Sequence, residues 1–62
     1  MTEKCTDSNN RTWEIYKDKA GEWRWRRTAS SGEVDGASHE GYKNKQDCIS
    51  NAQSNGMKCT PR

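Results

Sequence analysis

All three tryptophans of this chain fall within one stretch, Trp13–Arg27, and this stretch constrains the fold more than any other part of the sequence. Apolar and polar residues alternate on both sides of Lys19-Ala20-Gly21. A period of two is typical of β-strands, so the stretch predicts two strands joined by a tight turn. The large apolar side chains of both strands share one face of this hairpin, and they are Trp13, Ile15, Trp23 and Trp25.

The rest of the chain supplies few apolar residues for a core. Only 27% of the 62 residues are hydrophobic, Phe is absent, and Val34 is the one valine. A domain of this length buries about 60% of the surface of its unfolded chain and is marginally stable by itself. We therefore expect reinforcement by a disulfide, a metal ion or a second subunit.

Three strands are predicted in the first two thirds of the chain. Alternation places them at Thr12–Asp18 and Glu22–Ala29, with a weaker one at Glu33–Ala37. Each connecting turn has a glycine followed by a glutamate, which is typical of a three-residue loop that ends in a left-handed glycine. This loop length predicts the following facing pairs: Tyr16 with Arg24, Glu14 with Arg26, Ile15 with Trp25, Trp13 with Arg27, and Arg27 with Asp35.

A helix is predicted from Lys45 to about Asn55. Asn44 is a favourable N-cap, and Gly56 is placed to end the helix in the left-handed conformation. Met57–Thr60 is predicted as a last strand. The fold class is thus α+β, in the order β-β-β-α-β, with an antiparallel sheet and one helix packed on one face. We expect eight side chains to form most of the core: Trp13, Ile15, Trp23, Trp25, Ala29, Cys48, Ile49 and Ala52.

The three cysteines leave two arrangements open. In a reducing cytosol all three would be thiols, with Cys48 acting as a small hydrophobic residue of the helix. Alternatively, a disulfide between Cys5 and Cys59 would join the two ends of the chain and contribute about 2–4 kcal/mol. The cysteines are not spaced as CxxC and His39 is the single histidine, so we predict no metal ion and no cofactor.

Charge and hydropathy disfavour several classes of function. Eleven basic and nine acidic residues are interspersed and give a net charge of +2. This is not the strongly basic footprint of an electrostatic nucleic-acid binder, so nucleic acid is a disfavoured partner. No apolar run approaches the ~18 residues of a membrane-spanning helix, so we predict no membrane role. The residues after Met1 lack the pattern of a signal peptide, and a cytoplasmic location is the expectation.

No residue pattern points to catalysis. The sequence has no Ser-His-Asp or Cys-His arrangement with a third orienting group, and no glycine-rich phosphate loop. His39 and Glu40 are adjacent in a predicted loop, where nothing makes two neighbouring side chains converge. We therefore predict that the chain is not an enzyme.

One face of the predicted sheet carries the candidate binding residues. Alternation places Tyr16, Arg24, Arg26 and Thr28 on the face that no helix covers. Such a face could bind a small polar or anionic ligand or a protein partner, so the chain is predicted to be a binding module or a structural accessory protein. Weak binding of single-stranded nucleic acid through the same arginine and tyrosine side chains is the alternative, because interleaved basic and aromatic residues can form a stacking platform.

Three segments of the chain closely resemble the YegP-like family, also called DUF1508 or UPF0339. They are Glu14–Arg26, Gly32–Val34, and Glu40–Tyr42 with the capped helix after it. The similarity covers roughly residues 11–60. We predict one domain there, after a flexible lead-in over residues 1–10 and before a tail at 61–62. The family's biochemical function is uncharacterised, so the resemblance implies no catalytic residue.

The resemblance also implies a homodimer. The family's β3-α-β unit occurs as a tandem repeat or as one copy per subunit, and two units exchange their C-terminal strands to form a single sheet. With one copy in this chain, the resemblance implies exchange of Met57–Thr60 between two subunits, which would reinforce the thin core. The chain departs from the family at Arg27 and Asp35, where aliphatic residues are usual. We predict that these two form an ion pair across strands two and three.

Overall fold

A four-stranded antiparallel sheet with one helix makes up the protein in a computed structural model, which describes residues 2–62. The α+β class is confirmed. The strands and the helix are β1 Thr2–Thr6, β2 Thr12–Lys17, β3 Trp23–Thr28, β4 Val34–Ala37 and α1 Lys45–Ser54. Each strand pairs with the next one along the chain. The order is therefore β-β-β-β-α, not the predicted β-β-β-α-β.

The two predicted turns have the expected loop. After β2, the backbone N–H of Asp18 bonds to the carbonyl of Glu22 at 2.8 Å, and that of Gly21 bonds back to Asp18 at 3.0 Å. Gly21 has a φ of 82°, a conformation that glycine adopts without strain. The turn after β3 repeats this arrangement, with Gly32 at a φ of 93°. The position of the glycine in each turn thus determines the type of loop.

The prediction of a flexible segment over residues 1–10 is wrong for Thr2–Thr6. These five residues form β1 and pair with β2 along their whole length. Met1 lies outside the described residues. Because β1 pairs with one edge of β2, the tryptophan hairpin is covered by a strand on that side, and the sheet gains a row of backbone hydrogen bonds.

The connection from β1 to β2 has the same loop as the other two hairpins without using a glycine. Asn10 occupies the left-handed position, at a φ of 60°. Asparagine is one of the few non-glycine residues that visit this conformation routinely. Asp7 closes the loop, because its Oδ1 accepts hydrogen bonds from the backbone N–H groups of Asn9 and Arg11, at 2.9 and 3.1 Å.

The sheet registers are mostly as predicted. All four expected facing pairs between β2 and β3 are present. Between β3 and β4 a bulge at Arg27/Thr28 makes Gly36, and not Asp35, the partner of Arg27. The predicted facing of Arg27 and Asp35 is therefore wrong by one residue, because Asp35 is the extra residue that the bulge inserts into β4.

The helix begins at the predicted residue and ends at Ser54, one residue before the predicted end. Asn44 is the N-cap residue, although its side chain makes no capping hydrogen bond. Gly56 follows the C-cap with a φ of 108°, as the predicted helix stop requires. The helix packs on β3, and its buried side chains are Cys48 and Ala52.

The core lies between the helix and one face of the sheet. Its buried residues are Trp13, Ile15, Trp25, Cys48, Ala52 and Met57. The rings of Trp13 and Trp25 are 5.3 Å apart at an angle of 44°. Trp23 and Ile49 pack at the margin of this cluster, whereas Ala29 lies outside it. The prediction for Ala29 is wrong because this residue opens the turn after β3, beyond the end of the covered strand.

Met57–Thr60 contains no strand in the structure. The segment runs irregularly back to the first strand, where Cys59 forms a disulfide with Cys5 at a Cα–Cα distance of 5.8 Å. Lys4 and Arg62 also exchange two backbone hydrogen bonds, each of 3.1 Å. The structure thus has the second of the two cysteine arrangements that the sequence left open, and Cys48 is a buried thiol.

Candidate functional site

The outer face is the side of the sheet opposite the helix. Its side chains alternate with the buried Trp13, Ile15 and Trp25, so they point away from the core. From β1 to β3 these residues are Thr2, Lys4, Thr6, Thr12, Glu14, Tyr16, Arg24, Arg26 and Thr28. All four predicted binding residues therefore belong to one continuous surface.

Arg26 lies near the centre of the outer face. Its Nε donates a hydrogen bond to Oε1 of Glu14, and its guanidinium lies 5.2 Å from the centre of the Tyr16 ring. The hydrogen bond to Glu14 raises the pKa of Arg26 above its ordinary value. The Arg26 side chain is still 45% exposed, whereas that of Glu14 is 15% exposed. The arginine is thus positioned by the carboxylate beneath it and open to solvent above.

Arg24 is held in a similar way at the end of the strand. Its Nε donates to Oδ2 of Asp18 at 2.6 Å. This bond is the main cause that lowers the pKa of Asp18, and backbone N–H groups of the turn contribute as well. The Arg24 side chain is 33% exposed. The two arginines are therefore positioned separately, each by its own carboxylate, and they do not share one acceptor.

Thr28 completes the predicted set at the opposite end of the strand. It pairs with Thr12 on one side and with Val34 on the other, and it is half-buried. Val34 is 57% exposed and extends the outer face with an apolar side chain. The four predicted residues thus lie along β2 and β3, with Tyr16 and Arg24 at one end, Arg26 in the middle and Thr28 at the other end.

The predicted ion pair between Arg27 and Asp35 is present, despite the shifted register. Nε of Arg27 donates to Oδ1 of Asp35 at 2.7 Å, and its Nη2 donates to the Asp35 carbonyl at 3.0 Å. Arg11 also lies 3.4 Å from the same carboxylate. The hydrogen bond from Arg27 is the largest cause that lowers the pKa of Asp35. The guanidinium also lies 5.4 Å from the centre of the Trp13 ring, so the pair covers one end of the core.

A second candidate region is a pocket of about 300 Å³ between the segment after β4 and the C-terminal half of α1. Its floor is formed by Trp25, whose indole Nε1 donates to Oδ1 of Asn51 at 2.8 Å. His39 and Glu40 both line this pocket, together with Ala37, Ser38, Tyr42, Asn51 and Asn55. Both residues are exposed, and among residues 2–62 no hydrogen bond or ion pair joins their side chains, so the structure gives no sign of a catalytic dyad there.

Sequence reasoning missed the helix wall of the pocket. Asn51 and Asn55 are four residues apart, a spacing that places both on one face of a helix. Two amide side chains at this spacing, beside a predicted core residue such as Ala52, were the available signal. Cys48 is not part of the pocket, and its burial raises the pKa of its thiol to about 11.

Among residues 2–62, no three histidine, cysteine or acidic side chains are grouped so that they could hold a metal ion. In the same part of the chain, no helix has the length and apolarity needed to cross a membrane.

The fold and its two candidate surfaces define a small α+β protein in which a single helix covers one face of a β-meander. The chain is similar to a UPF0339 protein in the 5′ region of the ptx operon of Stutzerimonas stutzeri, with 51% identity over 43 residues. It is also 53% identical over 36 residues to UPF0339 proteins of Neisseria meningitidis serogroups B and A. These similarities confirm the resemblance and support membership of the UPF0339 family.

Each alignment covers only part of this chain and only part of the relative. The alignments cover 69% and 58% of this chain, and 38% and 62% of the respective relatives. The chain therefore spans less than two thirds of the length of these relatives. No protein-family model matches the chain, and the search of solved structures gave no match.

Proposed function

We propose that this chain is a non-enzymatic binding module and that the outer face of its sheet docks an acidic segment of a protein partner. The observation that carries this proposal is the pair of partly exposed arginines, Arg24 and Arg26, each positioned by a carboxylate on a sheet face that no helix covers. The names of the UPF0339 relatives state no activity.

The two guanidinium groups of the outer face suit an acidic partner. Arg24 and Arg26 each bond to one carboxylate, Asp18 and Glu14 respectively, and Glu22 also lies near Arg24. Each guanidinium has five N–H donors in a planar fork that matches a carboxylate, and the bond to its own acid uses Nε. The remaining donors can bind a carboxylate of a partner without a rearrangement of the side chain.

The same face suits a nucleic acid less well. A single-strand binder combines a basic groove with several aromatic side chains on which successive bases stack. Here Tyr16 is the aromatic residue of the outer face between Lys4 and Thr28, and its ring already lies against Arg26. Binding of single-stranded nucleic acid is therefore the alternative outcome of the experiment that follows.

Fluorescence anisotropy with a labelled glutamate-rich peptide tests the proposal. We expect salt-sensitive binding to the wild type and much weaker binding to the double variant Arg24→Gln/Arg26→Gln. The matched control is Lys58→Gln, which also removes a positive charge but lies in the exposed C-terminal segment. Equal binding by the double variant and the wild type would refute the proposal, and tighter binding of labelled oligothymidine would favour the nucleic-acid alternative.

The homodimer with exchanged C-terminal segments stays a prediction. Exchange would require Met57–Thr60 to leave its place, where Met57 is 3% exposed and Cys59 is bonded to Cys5 of the same chain. Light scattering over a dilution series, with and without reductant, measures the mass directly. A mass of two chains that survives both treatments is expected of the exchanged dimer, and a mass of one chain would contradict it.

The cytoplasmic location also stays a prediction. The Cys5–Cys59 disulfide is of a kind that persists in oxidising compartments and is rare in the cytosol. Alkylation of the protein directly in lysed cells would count its free thiols. We expect three alkylated cysteines in a cytosolic protein, and one, Cys48, in a protein from an oxidising compartment.

A further inference from the structure

We propose that the pocket between the segment after β4 and α1 binds a small, flat, uncharged or cationic molecule that carries an amide-like group. This site lies away from Arg24 and Arg26 and does not depend on the function proposed for the outer face. The inference rests on the fixed orientation of two helix amides, on the charge of the pocket wall, and on its aromatic floor.

The orientation of Asn51 is fixed by the residue beneath it. An indole N–H can only donate, so Trp25 Nε1 selects the Oδ1 atom of Asn51 as its acceptor. The amide nitrogen of Asn51 then points away from Trp25. This nitrogen makes no hydrogen bond within residues 2–62, and no fully buried polar side-chain atom there lacks a partner, so the nitrogen is in contact with solvent. Asn51 therefore offers N–H donors at a defined place in the pocket.

Asn55 offers the complementary acceptor one helical turn away. Its Nδ2 donates to the backbone carbonyl of Asn51 at 2.8 Å, which leaves its Oδ1 as the outward group. The pocket lining thus holds an amide donor on Asn51 and an amide acceptor on Asn55, and each side chain is oriented by its own hydrogen bond. A primary amide has the matching acceptor and donor on one carbon atom, so it can bond to both side chains at once.

The side chains that line the pocket opposite the helix determine which ligand charge is favoured. They include Glu40 and His39 but neither lysine nor arginine. An anion in this pocket would meet the Glu40 carboxylate with no lysine or arginine beside it, whereas a neutral or cationic group would not be repelled. The volume of about 300 Å³ is at the lower end of the range for ligand pockets, and the rings of Trp25 and Tyr42 suit a flat molecule.

Three probes of nearly equal shape distinguish the effect of ligand charge from that of the amide hydrogen bonds. Benzamide is neutral with a donor and an acceptor, benzamidine is cationic, and benzoate is anionic. Each is titrated into the ¹⁵N-labelled wild-type chain while the three indole N–H signals are followed by NMR. We expect benzamide and benzamidine to shift the Trp25 signal saturably and benzoate to leave it unchanged. The Trp13 indole bonds to Asp7 and serves as the internal reference.

Two substitutions locate the binding. Asn55→Ala removes the acceptor and is expected to lower the affinity for benzamide by about threefold to tenfold, which is the effect of losing one hydrogen bond. Glu40→Gln is expected to lower the affinity for benzamidine by about twofold to fivefold and to leave the affinity for benzamide unchanged. The control is Gln53→Ala, an exposed position of the same helix outside the pocket.

The outcomes that overturn the proposal are specific. They are a Trp25 signal that no probe shifts, benzoate binding as tightly as benzamide, or a benzamide affinity that Asn55→Ala leaves unchanged. The far-ultraviolet circular dichroism of each variant is compared with that of the wild type. Benzamide binding to a folded Asn55→Ala variant with wild-type affinity would by itself refute the assigned site.

Discussion

The two faces of the sheet differ in how they contribute to the protein. The face under the helix buries Trp13, Ile15 and Trp25 at 3% exposure or less, and its cohesion comes from removal of apolar surface from water. The outer face carries charged pairs such as Arg26 with Glu14, whose side chains stay partly in solvent. Exposed ion pairs stabilise little. One face therefore maintains the fold, while the other contributes little to stability and keeps charged groups in contact with solvent.

The largest expected effect comes from removing a tryptophan from the covered face. Trp25→Ala should lower the free energy of unfolding by about 3–5 kcal/mol, because it leaves a cavity in the core. Thr28→Ala, on the outer face of the same strand, should change it by less than about 1 kcal/mol. Urea unfolding followed by circular dichroism measures both. Similar losses for the two variants would contradict the distinction between the faces.

The next effect concerns the disulfide at the end of the covered face. Cys59→Ser should lower the free energy of unfolding by about 2–4 kcal/mol, because the unfolded chain regains the freedom that the crosslink removes. A reductant should destabilise the wild type by a similar amount and leave Cys59→Ser unaffected. Destabilisation of the variant by reductant would show that another disulfide is present.

Low pH should destabilise the protein, because it protonates the carboxylates that support the turns and the charged pairs. The pKa values of Asp7, Asp18 and Asp35 are lowered, chiefly by hydrogen bonds from Trp13, Arg24 and Arg27 respectively. Such groups bind protons more weakly in the folded state, so their stabilisation is present above the unfolded pKa of about 4 and is lost as pH falls through the lower folded values.

Thermal unfolding between pH 7 and pH 2 measures this acid dependence. The melting temperature should fall below about pH 4. In Asp18→Asn the fall should be shallower, because one of the three carboxylates no longer titrates. A melting temperature of the wild type that is independent of pH over this range would contradict the assigned hydrogen bonds.

The smallest expected effect is the coupling between Arg27 and Asp35. A double-mutant cycle with Arg27→Ala and Asp35→Ala should give a small favourable coupling that decreases when salt is added, since both side chains are partly exposed. The equivalent cycle with Arg26→Ala and Glu14→Ala provides the comparison on the outer face. A zero coupling for Arg27 would mean that the pair does not form in solution.

The central hairpin could be predicted from the sequence because two independent signals agree there. Alternation assigned Trp13, Ile15 and Trp25 to one face, and the glycine position in the turn fixed the register. Both signals come from residues that are close together in the sequence, so they can be recognised without knowledge of the fold. The helix was predictable for the same reason, since Asn44 and Gly56 mark its ends locally.

The first strand was missed because its turn has no glycine. Asp7, Asp18 and Ala29 open the three loops at intervals of eleven residues, and in the first loop Asn10 takes the place of glycine. The eleven-residue interval from Asp18 back to Asp7 was the signal that could have revealed β1. The alternation of Thr2–Thr6 is weak, since Cys5 is its one apolar residue.

The path of the C-terminal segment and the position of the pocket could not be predicted, because both depend on contacts between distant residues. Met57 is buried only because the chain turns back after the helix. The indole of Trp25 meets Asn51 across 26 residues. A strand after the helix was predicted for Met57–Thr60 independently of the resemblance, and no local feature of this segment argued against it.

The disulfide between Cys5 and Cys59 gives the molecule nearly the topology of a covalent ring, since 54 positions separate the linked cysteines. A single cut in any hairpin loop, for example at Lys19, would leave one connected molecule with all of its strand pairs. Trypsin nicking at that exposed turn should therefore yield a species of unchanged mass, apart from one added water, until a reductant separates the two fragments. The same closure makes the hairpin loops natural places to open the chain in a circular permutant.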